Sequence, residues 1–308
     1  MNNLFCKYCQ SENIRKYGLV KGIQRYFCND CKRKFVSTDT IPKMQTPTKV
    51  IADSLNMHYE GMSLAEIRRN IIQQDGNYVS KVTPYNWEQR FTKLAIKEAE
   101  KYHPKVGDTW QAVNNNFGGR KKLLWLIDII DRDTRFLLST RLSHSRNTKD
   151  IALAMKEAKD KAGKSPKQIL TDGWKGYQDG IELVFGSETK HVLSTLFESK
   201  SVSINIVERA QGNLKERTKV MRGLKTFKSM QDFLKGWAIH YNFFRPHLSL
   251  HDKTPAQMAG IDFPYHNWKE LIEKQPYNVT ARIPIKDNPT LRLSYKAPRI
   301  TPKTPKLK

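Results

Sequence analysis

Four cysteines stand in two pairs at the start of this 308-residue chain, and they constrain its fold more than any other feature. The first C-x-x-C pair is Cys6 and Cys9. The second pair is Cys28 and Cys31, after a spacer of eighteen residues. Two such pairs at this separation are typical of a tetrahedral Cys₄ zinc site, with unrelated thiols or two disulfides as the alternatives. Because a module this short needs its metal to fold, residues 1–36 are predicted to be a zinc ribbon.

A large excess of basic residues limits the partners of the chain. Lysine and arginine number 54 against 30 acidic residues, which gives a formal net charge of +24. Such a charge favours a polyanionic partner, either nucleic acid or an anionic membrane. No apolar run reaches the length of about 18 residues that a membrane span needs, and the N-terminus lacks the apolar stretch of a signal peptide. We therefore expect a cytoplasmic protein that associates with DNA in the nucleoid and has no membrane partner.

Three helical patterns follow a polar, proline-containing linker. The second begins with Ser63 three residues before Glu66, the spacing of a capping box, and the third has Pro84 in its first turn. Short helices followed by one with polar and aromatic residues near its start favour a helix-turn-helix domain over residues 45–103, and a plain helical bundle is the alternative. In the first interpretation, four residues of the third helix face DNA: Tyr85, Asn86, Gln89 and Arg90.

From about residue 108 the pattern changes to strands that alternate with helices. Three strand patterns, "WQAVNNNF", "KLLWLIDIID" and "RFLLSTRLS", precede a helix, a strand, a helix, a strand and a further helix. This order predicts a mixed α/β fold over residues 108–262. Residues 263–308 are rich in lysine and proline and show little periodicity, so they are predicted to be a basic, partly disordered tail.

Two acidic residues in this region could carry chemistry. Asp172 follows the strand "QILT", where a side chain enters the crevice at the carboxyl end of a sheet, although a turn aspartate before Gly173 is the simpler alternative. Glu208 opens a basic helix, and Lys215 and Lys219 lie within about 20° of its face. An acid followed by cations on one face could hold a metal beside a phosphate backbone. A solvated helix of alternating charge is the alternative.

The two acids and their surroundings together resemble a known family. Thirty-five residues separate Asp172 from Glu208. Around them stand "TWQAV", "LWLIDIIDRDTRFLLSTRLS", "ILTDGWKGY", "VERAQGNLKERTKVMRGLKTFKS" and "HYNFFRPHLSLHDKTPAQMAGI". The chain resembles the DDE transposases of prokaryotic insertion sequences, relatives of retroviral integrases, over roughly residues 6–262. The resemblance implies a ribonuclease-H-like mixed sheet in residues 108–262.

The resemblance also implies two-metal chemistry on double-stranded DNA. In the family, three carboxylates bind two Mg²⁺ or Mn²⁺ ions during displacement at a phosphodiester. Asp172 matches the second acid and Glu208 the third. The implied DNA is the terminal repeats of an element, and the implied assembly is a homo-oligomer. Four basic residues on or after the helix are implied to contact DNA phosphates: Lys215, Arg217, Lys219 and Arg222.

The first acid of the family triad is missing from this chain. The family pattern W-x-x-Asp-Glu places the aspartate at Val113 and the glutamate at Asn114, and "QAVNNNF" contains no carboxylate. The loss predicts a fall of several orders of magnitude in metal affinity and rate. Asp128 on the next strand is a candidate substitute. With a hairpin turn at Gly118–Arg120, it would lie near Gln111 and not far from Val113.

Three functions fit these observations. The first is an active DNA transposase, and the second is a transposase-derived regulator that binds DNA without catalysis. The third is a zinc-ribbon transcription or RNA-associated factor, which has no need of the "TDGW" and "HYNFFRPH" segments. The first two both predict steep salt dependence of DNA binding and differ in metal-dependent cleavage. We favour a DNA-binding protein of the transposase family with impaired catalysis.

Overall fold

The computed structural model describes most of the first 274 residues. The described ranges are 4–20, 22–36, 39–42, 44–76, 78–117, 124–194, 204–219 and 226–274. Most of the predicted disordered tail, residues 275–308, lies outside these ranges, and so does Arg222. Within the described ranges, no helix combines the length and the hydropathy that crossing a membrane requires.

The amino-terminal region is a small antiparallel sheet of three strands. They are β1 (Ile14–Val20), β2 (Ile23–Cys28) and β3 (Lys34–Val36), paired in that order. Gly22 lies in the turn before β2 with a φ of +78°, a conformation that residues with a Cβ rarely adopt. Cys6, Cys28 and Phe35 form a buried cluster separate from the main core. So small a buried cluster is typical of modules that a metal stabilises.

Three helices follow the ribbon. They are α1 (Thr48–Tyr59), α2 (Leu64–Asp75) and α3 (Thr83–Ala99). The predicted capping box is confirmed at α2: the Glu66 carboxylate accepts the Ser63 backbone N–H at 2.8 Å, and the Ser63 hydroxyl accepts the Glu66 N–H at 3.3 Å. Pro84 lies in the first turn of α3. The three helices contact one another in every pair, and the helix-turn-helix assignment stays a prediction.

The larger sheet contains five strands. They are β4 (Thr109–Asn116), β5 (Trp125–Asp131), β6 (Leu137–Ser143), β7 (Gln168–Thr171) and β8 (Lys190–Leu193). The strand order is β6–β5–β4–β7–β8. Strand β5 runs antiparallel to β4 and β6, whereas β4, β7 and β8 run parallel to one another. This arrangement confirms the predicted fold class, a ribonuclease-H-like mixed sheet.

Helices cover both faces of this sheet. They are α4 (Thr148–Ala162), α5 (Lys175–Phe185), α6 (Asn205–Lys219) and α7 (Phe227–Ile239). Successive side chains of a strand point to opposite faces, and β4 shows this directly. Gln111 contacts Val207 of α6, whereas Asn114 contacts Tyr177 of α5. Helices α6 and α5 therefore lie on opposite faces of β4.

The predicted DNA-binding helices are packed onto the sheet region. Tyr59 at the end of α1 is fully buried, and its hydroxyl bonds with Thr92 Oγ1 on α3 at 2.6 Å. Gly236 of α7 allows this approach, because a Cβ there would lie 2.1 Å from the Tyr59 hydroxyl. Regions 45–103 and 108–262 consequently contribute to one continuous hydrophobic core.

Part of the predicted tail, residues 268–274, is helical. After α7 the chain passes through a π-helical turn, a short helix α8 (Pro255–Met258) and a helix α9 (Trp268–Lys274). Helix α9 packs on α1, and Trp268, Leu271 and Ile272 are buried to 2% exposure or less. These three apolar residues follow a helical spacing. The lysine- and proline-rich surroundings obscured this short signal in the sequence.

Candidate active site and nucleic-acid interface

Asp172 lies at the carboxyl end of β7, where the sequence predicted it. The strand stops at Thr171, and Gly173 then turns the chain with a φ of +84°, a conformation suited to glycine. The Asp172 side chain is exposed, and its Oδ1 accepts the backbone N–H of Trp174 at 3.2 Å. An exposed carboxylate in this position can serve as a metal ligand.

Glu208 lies in the first turn of α6, and its side chain is also exposed. Amide side chains hold this helix on the sheet. The Val207 N–H donates to Gln111 Oε1 at 3.3 Å, and Gln211 Nε2 donates to the Leu126 carbonyl at 3.3 Å. Because Glu208 directly follows Val207, it lies at the margin of the contact between α6 and β4.

Val113 occupies the first-acid position on the face of β4 that α6 covers. Gln111 and Asn115, two residues before and after it, both bond to residues of α6. Since side chains two residues apart share a face, Val113 points toward the helix that carries Glu208. It is 3% exposed and offers no oxygen ligand.

Asn114 points to the opposite face of the sheet. Its Nδ2 donates to the Tyr177 hydroxyl at 3.1 Å, and its Oδ1 is buried without a hydrogen-bond partner. The structure therefore separates the two positions that the sequence left together. Only Val113 lies on the face shared with Glu208.

Asp128 lies directly opposite Val113 in the β4–β5 pair, which corrects its predicted position near Gln111. Gln111 pairs with Ile130 instead, and Asn116 pairs with Trp125 at the end of the ladder. The predicted turn at Gly118–Arg120 lies outside the described residues.

The Asp128 carboxyl is enclosed and short of partners. Its residue is 1% exposed, and neither carboxylate oxygen has a hydrogen-bond partner. Burial raises its pKa from 3.8 to about 6, against the opposing influence of Thr140, Gln211 and Lys215 nearby. A buried charged carboxylate without hydrogen bonds is unfavourable, so this group destabilises the fold when it ionises.

We expect Asp128→Asn to stabilise the protein more at pH 8 than at pH 5. The folded-state pKa lies above the unfolded one, so stability falls as the pH rises from about 4 through about 6. The full shift corresponds to about 3 kcal/mol at pH 8, of which roughly half is already lost at pH 5. The free energy of unfolding in urea at the two pH values measures the difference. Equal stabilisation by Asp128→Asn at the two pH values would contradict this expectation. Asp160→Asn, which replaces an exposed carboxylate on α4, is the control.

These residues do not provide a complete ligand set for Mg²⁺ or Mn²⁺. The family arrangement requires three carboxylates around two ions. Asp172 and Glu208 supply two exposed carboxylates, whereas Val113 supplies none. The orphaned oxygens of Asp128 lie across the strand pair and are enclosed. The described donors do not fit a two-metal site, and no reaction step follows from them.

The cations implied for α6 have different surroundings. Lys219 is exposed at the end of the helix. Lys215 is half-buried, and burial lowers its pKa while Asp128 opposes that shift. Lys215 is therefore only partly presented to solvent. Lys219 is the better placed of the two for a DNA phosphate.

Arg217 is the clearest correction to the implied DNA contacts. It pairs with Glu60 at the end of α1, and its side chain is only 12% exposed. Gly61 permits the approach, because a Cβ there would lie 3.1 Å from the Arg217 Cγ. The hydrogen bond from His240 at 3.0 Å, and then Arg217, lower the pKa of Glu60 to about 2. Arg217 therefore joins α1 to α6 and is not available to DNA in this structure.

The four residues predicted at the start of α3 divide into two groups. Asn86 and Arg90 are exposed. Tyr85 and Gln89 are half-buried, and burial raises the pKa of Tyr85. Gln89 donates to the Glu88 carboxylate beside it at 2.8 Å. Asn86 and Arg90 are thus the more exposed members of this set.

The four cysteines converge as the sequence predicted. Their Sγ atoms all lie within 4.8 Å of one another, with Cys6–Cys31 and Cys9–Cys28 each 3.6 Å apart. Zinc–thiolate bonds of about 2.3 Å place the sulfurs of a tetrahedral site about 3.8 Å apart. A disulfide requires about 2.05 Å, and all four cysteines are free thiols. The arrangement fits a zinc ion.

Sequence reasoning missed a cation held between two tryptophan rings close to Asp172. The Arg146 Cζ lies 3.6 Å from the ring centroid of Trp174 and 4.2 Å from that of Trp125. The Trp174 indole N–H also donates to the Arg146 carbonyl at 3.0 Å. The "TDGW" segment contains one of these residues. The other two come from separate parts of the chain, so no local pattern could have connected them.

Comparison with known families identifies one matching model. Residues 109–247 match the family model described as the DDE domain, of the IS240 transposase type. No curated protein matches the chain.

Several solved structures are similar to part of the chain. The HTLV-2 integrase catalytic core domain, determined in complex with magnesium in a dimeric form, shares 18% identity, with a TM-score of 0.39, over 51% of this chain and 97% of its own. A simian T-cell lymphotropic virus intasome in complex with the PP2A regulatory subunit B56 gamma shares 15% identity, with a TM-score of 0.39, over 67% of this chain and 72% of its own. The catalytic core domain of BIV integrase shares 13% identity, with a TM-score of 0.35, over 50% of this chain and 93% of its own.

Proposed function

We propose that this chain binds DNA but is impaired in strand transfer. The premise is that residues 109–247 are a DDE domain of the transposase and integrase kind. One observation carries the proposal. Val113 replaces the first acid on the face of β4 that α6 covers, while Asp172 and Glu208 are retained. A non-catalytic, transposase-derived regulator is the second candidate. The enclosed position of Asp128 favours it, because that carboxyl does not restore the missing ligand.

The proposed partner is double-stranded DNA, namely the terminal repeats of an element. The net charge of +24 supports a polyanionic partner. Asn86 and Arg90 on α3 and Lys219 on α6 are exposed and suited to phosphate contacts. Cys6, Cys9, Cys28 and Cys31 would hold one zinc ion, which supplies structural stability to the ribbon. Association with nucleoid DNA and assembly into a homo-oligomer belong to the same proposal.

We expect the full chain to bind a DNA duplex with an affinity that falls steeply with salt. A surface with six to ten phosphate contacts loses about 10³- to 10⁵-fold in affinity between 50 and 200 mM salt. Fluorescence anisotropy of a labelled duplex measures this slope. Asn86→Ala with Arg90→Ala should weaken binding about tenfold, whereas Lys156→Ala, which removes an exposed cation from α4, should change it little.

Cleavage tests the catalytic part of the proposal. Incubation with Mg²⁺ or Mn²⁺ and an oligonucleotide that carries the element end should give little or no product. Absence of DNA binding at 50 mM salt would overturn the binding proposal. Robust cleavage that disappears in Asp172→Ala would instead overturn the proposed impairment.

A further inference from the structure

The three members of the tryptophan–arginine stack meet at the sheet edge where Asp172 lies. Trp125 opens β5 and pairs with Asn116 at the carboxyl end of β4. Trp125 also pairs with Ser143 at the end of β6, and Arg146 follows three residues later. Because β4 and β7 run parallel, the carboxyl ends of both strands lie at this edge. The stack is therefore a neighbour of the candidate active site.

The stack is held rigidly before any ligand arrives. The Trp174 indole N–H is bonded to the Arg146 carbonyl at 3.0 Å, and the Trp174 backbone N–H is bonded to Asp172 Oδ1 at 3.2 Å. Gly176 brings α5 close to the ring, because a Cβ there would lie 3.0 Å from the indole nitrogen. A side chain fixed in this way loses little conformational entropy on binding.

The chemistry of the stack suits a nucleotide. Trp174 is 38% exposed, which leaves part of the indole open to solvent. No carboxylate in the described ranges pairs with Arg146, whose guanidinium lies between the two rings. The N–H groups at the edge of a guanidinium bind phosphate oxygens. An exposed indole stacks on a nucleobase of any sequence.

We propose that Trp125, Arg146 and Trp174 form a binding site for an unpaired nucleotide of a DNA strand entering at Asp172. Arg146 holds a phosphate of that strand, and the open surface of Trp174 stacks on the base. Paired bases are stacked on their neighbours in a duplex, so the site accepts a base from a frayed or single-stranded end. This inference rests on the proposed DNA-binding function and adds a preference for DNA ends to it.

The test compares duplexes with and without unpaired ends. One duplex is blunt, and two others carry three unpaired nucleotides on the 3′ or the 5′ strand, with 2-aminopurine as one of the unpaired bases. Wild type should bind an unpaired end about 5- to 100-fold more tightly than the blunt duplex, as expected for one stacked base. Binding should also quench the 2-aminopurine fluorescence, which reports stacking directly.

Variants separate stacking from structural support. Trp174→Ala should lose the preference for unpaired ends and the 2-aminopurine quenching, but its affinity for the blunt duplex should stay within about twofold of wild type. Trp174→Phe should retain the preference and the quenching. Arg146→Ala should lose the preference more completely than Arg146→Lys. Leu183→Ala, which removes an exposed apolar side chain elsewhere on α5, is the control. Thermal melting verifies that every variant is folded.

The outcomes distinguish this inference from the proposed function. An unchanged preference and unchanged quenching in folded Trp174→Ala, with duplex binding intact, would overturn the nucleotide site alone. If the wild-type protein does not bind the blunt duplex at all, the proposed DNA-binding function itself is overturned. Equal wild-type affinity for blunt and unpaired ends would also overturn the site, because it would leave the open indole without a ligand.

Discussion

Val113→Asp alone should destabilise the protein, whereas Val113→Asp with Asp128→Asn should recover stability and gain metal-dependent DNA cleavage. The reason lies in the register of β4 and β5, which places Val113 directly opposite Asp128. Both positions are buried, at 3% and 1% exposure. Two carboxylates in directly opposite positions repel each other, and burial adds to the cost of the second charge.

The expected effects are large in both variants. The single variant should lose about 3–5 kcal/mol in free energy of unfolding above pH 7, the range for an uncompensated buried charge. The double variant leaves one carboxylate, now on β4 and on the face toward Glu208. If the family's three-carboxylate arrangement is restored, cleavage in Mg²⁺ or Mn²⁺ should rise by several orders of magnitude. Urea unfolding and cleavage of an end-labelled oligonucleotide measure the two effects.

An uncharged double variant provides the matched control. Val113→Asn with Asp128→Asn has nearly the same shape as the gain-of-function variant but lacks the new carboxylate, so it should fold and remain inactive. Adding Asp172→Ala to the active variant should abolish the new cleavage. Wild-type stability in Val113→Asp would contradict the register argument. A folded but inactive Val113→Asp/Asp128→Asn would contradict the assignment of Val113 as the first-acid position.

Zinc removal should unfold the amino-terminal ribbon. Its buried cluster contains Cys6, Cys28 and Phe35, so little apolar burial remains without the metal. Structural zinc contributes about 10–16 kcal/mol of apparent binding free energy in small modules. The protein purified without chelator should contain about one zinc ion per chain. Excess chelator should make residues 4–36 sensitive to protease, while the region of the five-stranded sheet is still resistant.

Serine replacement tests the same site by a second route. Cys28→Ser should lower the zinc content to well below one per chain, because oxygen is a poor substitute for a thiolate ligand. Ser11→Ala near the first pair should retain the metal. Zinc-free protein with a protease-resistant ribbon, or full zinc content in Cys28→Ser, would contradict the Cys₄ site.

The features that the sequence predicted correctly are local ones. The cysteine spacing, the capping box at Ser63 and Glu66, and the order of strands and helices depend on residues close together in the chain. The positions of Asp172 after a strand and of Glu208 in the first turn of a helix are local in the same sense, whereas their catalytic role stays a prediction. Periodicity and spacing define such features without knowledge of the tertiary fold.

Strand register and face depend on more than local pattern. The β4–β5 pairing places Asp128 opposite Val113, whereas Gln111 pairs with Ile130. The same pairing shows that Val113, and not Asn114, faces α6. A shift of one residue reverses every side chain of a strand. Sequence alone therefore could not choose between the two positions.

The sequence by itself determined the pairing of the four cysteines, the mixed α/β order and the absence of a carboxylate from "QAVNNNF". Only the tertiary structure decided that Arg217 pairs with Glu60 and that Arg146 lies between Trp125 and Trp174. It also decided that α9 packs on α1. Each of these contacts joins residues far apart in the chain. Their partners are selected by packing and burial after the elements have formed, and no spacing along the chain encodes them.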